Sequence, residues 1–326
     1  MTHLQRNLKA GALALVAAGP LAVATPAVAQ EYPDPAQTLD WTIAFGPGGG
    51  NDIMARTIVD IINTYDFYPG DIALENRAGG SGAVGWGYLF GQSGSGYGIS
   101  TTSGSFVTTP LQADTPWDPT DFTPVALLAT DDLVLVVNGS SEIQNIDEFI
   151  AHAQENDITI AGTGTVNVDF IVPTLFAREA GFEFEYVSFN SMADQTTALL
   201  SQSVDAMVGN PGEILGLIDS GDLRPLVYSG SSTPDALGDV PTMGDVGHDI
   251  GVSMPRGLIL PPDAPQEAQD FWIETMQRVV ETPEWADYIA TNTLTPTVLY
   301  GDEFRTFLDR TQTGFGEVLR EVGAIQ

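Results

Sequence analysis

A glycine-rich loop at residues 46–50 has the residue types that bind anions through main-chain N–H groups. It reads Gly46-Pro47-Gly48-Gly49-Gly50, follows an alternating apolar segment at 39–45, and leads through Asn51 and Asp52 into residues with helical apolar spacing. Glycine lets the backbone approach a ligand closely, and the free N–H groups of a helix's first turn attract an anion. We therefore predict a carboxylate or phosphate site here, with Asn51 and Asp52 capping the helix. A tight turn without a ligand is the alternative.

A second glycine cluster has the same features. It reads Asn76-Arg77-Ala78-Gly79-Gly80-Ser81-Gly82-Ala83-Val84-Gly85 and precedes a segment, 84–90, that we predict to be helical. A third polar turn, Ser103-Gly104-Ser105, follows the next predicted strand. Because the carboxyl ends of parallel strands meet at one edge of a sheet, the three turns together predict a shared anion pocket. Taken alone, the second cluster also fits a surface loop.

Three further polar turns follow predicted strands in the middle of the chain. They are Thr163-Gly164-Thr165, Phe189-Asn190-Ser191 and Gly209-Asn210. Uncharged hydrogen-bonding residues with one aromatic ring suit the far end of a small ligand. Each turn taken singly is also compatible with ordinary turn chemistry.

The composition argues against nucleotide binding and against most kinds of catalysis. There is no cysteine, the only lysine is Lys9, and His152 and His248 stand apart from other candidate catalytic residues. A phosphate-binding loop of the Gly-Lys-Ser/Thr type and a cysteine nucleophile are therefore missing. A pair of carboxylates in a cleft stays open as an enzyme alternative. For Asp52, helix capping with a local link to Arg56 is the favoured role.

The order of predicted elements indicates an α/β fold with two lobes. Strand, glycine loop and helix alternate twice along the chain, which favours largely parallel sheets. Extended segments at 124–138 and 252–260 are interpreted as crossings between lobes, and the C-terminal helices as packing back on the first lobe. The predicted division is residues 30–133 plus 254–326 for lobe 1 and 134–253 for lobe 2, with a hinge and a cleft between them.

Residues 1–29 have the pattern of a cleaved export signal. Arg6 and Lys9 precede an apolar stretch at 10–18, and Ala27-Val28-Ala29 matches a small-residue cleavage site. The whole chain has a formal net charge of −32, which disfavours nucleic acid and anionic lipid as partners. We interpret the charge as halophilic adaptation to a salty external medium, where salt screens self-repulsion. A merely acidic exported protein is the alternative.

Beyond these features, the chain resembles the substrate-binding receptors of tripartite tricarboxylate transporters, also called the Bug family. The resemblance covers nearly all of the chain after the predicted signal, and its motifs occur in the family's order. They are Phe45-Gly46-Pro47-Gly48-Gly49-Gly50-Asn51-Asp52 with Ala55-Arg56, Glu75-Asn76-Arg77-Ala78-Gly79-Gly80, Trp117-Asp118-Pro119, Asp121-Phe122-Thr123-Pro124-Val125, Val204-Asp205-Ala206-Met207, Gly221-Asp222-Leu223-Arg224, Asp239-Val240-Pro241-Thr242 and Pro283-Glu284-Trp285.

The resemblance implies a type II periplasmic-binding-protein fold, in which two lobes close like a Venus flytrap on a carboxylate. In that family the carboxylate is held mainly by main-chain amides and ordered waters. Carried over by position, the ligand-binding residues are Gly49, Gly50, Asn51, Asp52, Ala78, Gly79, Gly80, Ser81, Ser103, Thr163, Phe189 and Asn210.

The resemblance also implies a role and partners. We expect a periplasmic, monomeric receptor, not an enzyme, that passes a tricarboxylate, dicarboxylate or related organic acid to integral-membrane permease subunits. No cofactor, metal or nucleic acid is expected. A ligand-loaded sensor for a signalling receptor fits the same residues, and a carboxylate-processing enzyme is a further alternative.

The sequence departs from the family pattern at several positions. Ser95-Gly96-Tyr97 replaces the common Asp-Gly-Tyr, Ser191-Met192 replaces a Gly-Ser, and Gly209 replaces an aspartate before the asparagine. The last two alter the far wall of the pocket, which leaves the ligand's distal end open. Arg256, in the segment that returns to the first lobe, fits either a second ligand carboxylate or a structural salt bridge.

Overall fold

The computed structural model describes residues 32–163, 167–189, 191–321 and 323–325. The predicted export signal at 1–29 lies outside these residues, as do Gly164, Thr165 and Asn190 from the predicted polar turns. Among the described residues, no helix is both long and apolar enough to span a membrane.

Strands and helices alternate along most of the described chain. The strands are β1 (Leu39–Ile43), β2 (Ile72–Asn76), β3 (Gly98–Thr101), β4 (Thr123–Asp131), β5 (Val134–Asn138), β6 (Thr159–Thr163), β7 (Glu185–Phe189), β8 (Ala206–Gly209), β9 (Leu223–Tyr228), β10 (Met254–Leu260) and β11 (Leu299–Tyr300). The α-helices are α1 (Gly50–Thr64), α2 (Ala83–Phe90), α3 (Gly104–Gln112), α4 (Ile146–Glu155), α5 (Val168–Ala180), α6 (Met192–Leu200), α7 (Pro211–Asp219), α8 (Gln266–Val280), α9 (Pro283–Thr291) and α10 (Asp302–Glu321).

The strands form two separate sheets. The first has the order β11-β4-β10-β3-β1-β2 and the second the order β7-β6-β8-β5-β9. The predicted α/β fold is confirmed. The sheets are less uniformly parallel than predicted, because β10 runs antiparallel to β3 and β4, and β5 runs antiparallel to β8 and β9. These antiparallel strands are the ones that begin where the chain passes from one sheet to the other.

Each sheet has apolar side chains on both faces, because successive residues of a strand point to opposite sides. In β5, Leu135 and Val137 belong to one core and Val134 and Val136 to another. The first sheet is likewise packed against α1, α8 and α9 on one face and against α2, α3 and α10 on the other. The helices are thereby fixed against the sheets, so their first turns are held at the ends of the strands.

The chain passes between the sheets at two places. It leaves the first sheet at Asp131 and enters the second at Val134, and it leaves β9 at Tyr228 and re-enters the first sheet at Met254. Strand membership therefore changes close to the boundaries predicted from the sequence. The division into two moving lobes is a statement about motion and stays a prediction.

Candidate functional site

The first glycine loop ends in the N-terminus of α1. The helix begins at Gly50 with Gly49 as its N-cap, so the expectation that Asn51 and Asp52 cap the helix was wrong. The first helical hydrogen bond runs from the Ile53 N–H to the Gly49 carbonyl, at 2.9 Å. The N–H groups of residues 49–52 therefore have no acceptor inside the helix. These are the four residues predicted for the first loop.

The side chain of Asp52 holds this loop in place. Its carboxylate accepts hydrogen bonds from the Gly48 N–H at 2.9 Å, from Arg56 Nε at 3.0 Å and from Asn76 Nδ2 at 2.9 Å. The predicted link to Arg56 is present as an ion pair of 2.8 Å. The hydrogen bond from Arg56 is the main reason that the pKa of Asp52 falls to about 2. Asp52 is thus an ionised scaffold group whose oxygens are already occupied.

The side chain of Asn51 joins the first loop to the third. Its Nδ2 donates to the carbonyls of Thr101 and Thr102, at 3.3 and 3.2 Å, and its Oδ1 accepts from the Thr101 hydroxyl at 2.7 Å. The next residue, Ser103, is the N-cap of α3 and is 9% exposed. Its hydroxyl is buried and has no hydrogen-bond partner within the described chain. The N-termini of α1 and α3 are therefore side by side, with a free hydroxyl between β3 and α3.

The second loop has a backbone that only glycine fits at two positions. Gly79 and Gly82 have φ values of 143° and 93°, and a Cβ on Gly82 would lie 2.1 Å from the Trp86 ring. Ser81 also lies in the left-handed region, with φ of 52°. Its carbonyl accepts a hydrogen bond of 2.9 Å from the Thr109 hydroxyl of α3. This loop is therefore fixed to α3, as the first loop is fixed to β3.

Strand register places the three loops at one edge of the first sheet. Ile43 at the end of β1 pairs with Asn76 at the end of β2, and Thr42 pairs with Ser100 of β3, all in parallel ladders. The loops that follow these strands leave the sheet at its carboxyl edge, where α/β proteins bind ligands. The structure thus brings together the predicted residues 49–52, 78–81 and 103.

The predicted residues of the second sheet also share an edge. Thr163 and Phe189 are direct partners at the ends of β6 and β7, and Ile160 of β6 pairs in parallel with Ala206 of β8. Asn210 follows β8 as the N-cap of α7. The three predicted residues therefore lie at the carboxyl edge of the second sheet.

The far wall near β8 is partly apolar. A Cβ added to Gly209 would lie 2.7 Å from the terminal methyl of Met192. The two departures from the family pattern at these positions are thus complementary, since the methionine occupies the space that a side chain at 209 would need. Phe189 adds an aromatic ring to the core on this side of the sheet.

Arg256 connects the two edges, although it was not among the predicted ligand-binding residues. Its guanidinium lies 3.1 Å from the position that a Cβ on Gly50 would occupy. It forms an ion pair with Asp131, and the other oxygen of Asp131 accepts a hydrogen bond of 2.6 Å from Asn210 Nδ2. The sequence marked Arg256 only by its position in the strand that returns to the first sheet. Its neighbours Asp131 and Gly50 are far away along the chain, so the sequence could not identify them.

A second buried carboxyl lies beside Thr163. The Thr163 N–H donates to Asp169 at 2.9 Å, and Asp169 is 7% exposed. Burial raises the pKa of Asp169 to about 6, and the negative charges of Glu213 and Asp131 add to that rise. Asp169 therefore places a buried carboxyl group next to Thr163 at the edge of the second sheet.

One cavity of about 250 Å³ lies apart from these loops. It is lined by residues that include Thr130, Ser229, Gly230 and Arg310, and by none of the predicted ligand-binding residues. It is a rival location for a small ligand. Within the described residues, no group of three or more histidine or carboxylate side chains is arranged to hold a metal ion.

Comparison with known proteins identifies the family. Residues 68–324 match the sequence model described as TctC, the tripartite tricarboxylate transporter family receptor. The chain belongs to this receptor family. Receptors of this family and the solved structures that resemble the chain are solute-binding proteins, so the chain is a receptor and not an enzyme.

Individual relatives agree with this assignment over most of the receptor. BugT of Bordetella pertussis is 25% identical over 312 residues, which are 93% of this chain and 94% of BugT. A TctC solute-binding protein from Polaromonas has a TM-score of 0.82 at 20% identity, covering 88% of this chain and 99% of that one. An R. palustris protein solved with adipate has a TM-score of 0.66 at 20% identity, covering 89% and 98%. These structures share the receptor's fold, and the ligand contacts of its own residues stay a prediction.

Proposed function

We propose that this receptor captures a small carboxylate between its two sheets and delivers it to the membrane permease of a tripartite transporter. The observation that carries the proposal is the gathering of main-chain N–H groups at residues 49–52 and 78–81. Amide groups at helix starts and glycine turns bind an anion without basic side chains, which suits a protein of net charge −32. The adipate found in a structural neighbour supports a carboxylate as the ligand.

In this proposal, residues 30–133 plus 254–326 act as lobe 1 and residues 134–253 as lobe 2. Lobe 1 binds the carboxylate first, and Thr163, Phe189 and Asn210 close over it from lobe 2. The change of sheet at residues 131–134 and 228–254 supports a hinge at these two connections. Closure is favoured because only the closed form lets the ligand contact both lobes.

The proposal also includes the cellular setting. The export pattern at 1–29 and membership of a transporter receptor family support a monomeric periplasmic protein that works with separate membrane subunits. The high acidic content supports a salty medium. If that holds, the melting temperature rises steadily from low to molar NaCl, whereas an unchanged melting temperature rejects the halophilic interpretation.

A thermal-shift screen tests the capture step. The mature protein, residues 30–326, is heated with adipate, citrate, succinate and 4-aminobutyrate in buffers of equal ionic strength. We expect the melting temperature to increase with the logarithm of the concentration of at least one compound, which mass spectrometry then recovers unchanged. No stabilisation by any carboxylate contradicts the proposal, and conversion of the compound would favour the enzyme alternative.

Transport is tested separately. Proteoliposomes that contain the membrane subunits of a tripartite transporter from the same genome are supplied with the labelled carboxylate that gave the largest shift. Uptake is expected only when this receptor is present. Tight binding without receptor-dependent uptake would reject delivery and favour the sensor.

A further inference from the structure

Arg256 lies at the carboxyl edge of the first sheet. It is near the start of β10, which pairs antiparallel with β3, so this part of β10 is next to the end of β3. The pairing continues beyond β3, because the Thr102 N–H donates to the Gly257 carbonyl at 2.8 Å and the Gly257 N–H donates to the Thr102 hydroxyl at 2.9 Å. Arg256 is therefore opposite Ser103, the residue that precedes α3.

The guanidinium of Arg256 is directed at the first turn of α1. Its Nη2 and Nη1 lie 3.1 and 3.4 Å from the position that a Cβ on Gly50 would occupy. Gly50 is the first residue of the helix, and the N–H groups of residues 49–52 have no acceptor inside it. A cation beside the positive end of a helix dipole is unfavourable by itself, and an anion that contacts both is stabilised by both. The placement of Arg256 therefore favours an anion at the start of α1.

Arg256 keeps N–H groups that its ion pair does not use. Nη2 pairs with Asp131, and no acceptor for Nε or Nη1 is found among the described residues. Both oxygens of Asp131 are engaged, since the second accepts a hydrogen bond of 2.6 Å from Asn210 Nδ2. Asp131 thus fixes the orientation of the guanidinium without occupying all of its donors. The side chain of Arg256 is 16% exposed, so a ligand can reach it.

The hydroxyl of Ser103 is a second unused group at this edge. Ser103 is the N-cap residue of α3, but its side chain makes no capping hydrogen bond. The hydroxyl is buried, the residue is 9% exposed, and no hydrogen-bond partner occurs in the part of the chain that the structure describes. A buried polar group without a partner is destabilising, and a bound acceptor relieves that cost. Two side-chain donors, from Ser103 and Arg256, are therefore available near the free N–H groups of α1.

We infer that Arg256 binds the ligand carboxylate directly and that Asp131 is the residue that positions it. One carboxylate oxygen accepts from the N–H groups at the start of α1, and the other accepts from the free donors of the guanidinium. Hydrogen bonds between charged groups are stronger than those between neutral groups, and a planar guanidinium matches the geometry of a carboxylate. This inference rests on the proposed function, since it adds a binding residue to the same site.

A charge-conserving substitution tests the contact. Isothermal titration calorimetry compares the mature protein with Arg256→Lys, using adipate, citrate, succinate and 4-aminobutyrate at one ionic strength. Lysine keeps a positive charge beside Asp131 but lacks the planar set of donors, so affinity for each compound that binds should fall about tenfold. Arg310→Lys is the matched control, because Arg310 lines the separate cavity, and it should bind as the unmodified protein does.

A double variant separates ligand binding from stability. Arg256→Gln alone leaves a largely buried carboxylate without its cation, whereas Arg256→Gln combined with Asp131→Asn removes both charges and keeps an oxygen for Asn210. In urea denaturation the double variant should be more stable than Arg256→Gln. Its affinity for the same compounds should nevertheless be about tenfold or more below that of the unmodified protein. A folded double variant that binds normally would overturn the inference.

The outcomes also distinguish this inference from the proposed function. If the unmodified protein binds a carboxylate and both Arg256 variants bind it equally well, Arg256 is only structural while carboxylate capture stands. If Arg310→Lys loses affinity and Arg256→Lys does not, the ligand lies in the separate cavity, and the inference is wrong together with the proposed location. If none of the four compounds binds the unmodified protein, the proposed function fails and the inference fails with it.

Discussion

The edges of the two sheets differ in how their polar groups are engaged. At the first edge, the side chains of Asp52 and Asn51 hydrogen-bond to neighbouring loop and helix residues. The groups left without an acceptor are the main-chain N–H groups at the start of α1. At the second edge, the side chain of Asp169 accepts a hydrogen bond from the Thr163 N–H, and the side chain of Asn210 donates to Asp131 at the end of β4 in the first sheet. The free main-chain donors are the reason that the first edge is the proposed carboxylate site.

Blocking the first edge should have the largest effect. Gly49→Val places a branched side chain at the N-cap of α1, where nothing lies within 4 Å of the added Cβ and φ is −83°. The fold should persist while carboxylate affinity falls about 100-fold, because two charge-assisted hydrogen bonds of about 1.5 kcal/mol each are lost. Calorimetric titration with the carboxylate that gives the largest thermal shift measures the loss.

Two other glycine-to-valine variants help to interpret this test. Gly216→Val, on the exposed side of α7, also adds a side chain where there is open space, and it should bind normally. Gly80→Val is harder to interpret, since φ is +55° there and backbone strain adds to any loss of binding. Normal binding by Gly49→Val would place the carboxylate elsewhere.

Removing the guanidinium of Arg256, which links the two edges through Asp131, should have the next largest effect, in this case on stability. The side chain of Asp131 is only 15% exposed, so Arg256→Gln leaves a largely buried carboxylate without its cation. We expect the free energy of unfolding to fall by about 2 kcal/mol, which urea denaturation at pH 7 measures. Arg310→Gln, at an exposed arginine, should change it by less than about 0.5 kcal/mol. Equal effects of the two changes would show that Arg256 has no special structural role.

A smaller, pH-dependent effect is expected from the scaffold carboxylate of the first edge. The pKa of Asp52 is about 2 in the folded protein, below its usual value of 3.8, so its stabilisation is present above pH 4 and is lost as the pH falls toward 2. Asp52→Asn should therefore cost about 1 kcal/mol at pH 6, a modest value because Arg56 is half exposed. The difference from the unmodified protein should shrink below pH 4. A difference that is constant down to pH 2.5 would contradict an ionic role, and Asp71→Asn serves as an exposed control.

The smallest effect concerns the crossing between the sheets. Asp132 is buried and accepts hydrogen bonds from Thr130 and Thr295, at 2.6 and 2.9 Å. Burial raises its pKa to about 6, so the folded protein binds more protons than the unfolded chain between pH 4 and pH 6, and stability falls as the pH rises through that range.

Asp132→Asn should remove part of the loss of stability between pH 4 and pH 6. Denaturation at pH 4, 5, 6 and 7 is expected to give a shallower dependence for Asp132→Asn than for the exposed control Asp157→Asn. Identical slopes for the two variants would show that Asp132 titrates at its ordinary value.

The sequence predicted much of the site because its main signals are local. Glycine runs after apolar strands predicted the turn at residues 46–50 and the turn before α2, and the helix predicted at 84–90 is α2 at Ala83–Phe90. The start of α1 was misplaced, because Asn51 and Asp52 are common capping residues but here their side chains bind neighbouring loops and not the helix end.

Contacts between distant segments could not be predicted in the same way. Arg256, Asp131 and Asn210 meet only because β10 runs antiparallel to β4 and β8 runs antiparallel to β5, and nothing near any of the three residues specifies the others. The buried carboxyl group of Asp169 beside Thr163 could not be predicted for a related reason. In a chain with 43 acidic residues, the few that face a site do not stand out until the strands are paired.

The most direct test of the account is an amide NMR titration of the ¹⁵N-labelled mature protein with 4-aminobutyrate and, separately, with adipate. A carboxylate site at the first edge should give saturable shifts of the N–H resonances of Gly49, Gly50 and Gly80 with any ligand that binds. Shifts confined to Gly230, Gly244 and Gly251, which line the separate cavity beside Arg310, would contradict it.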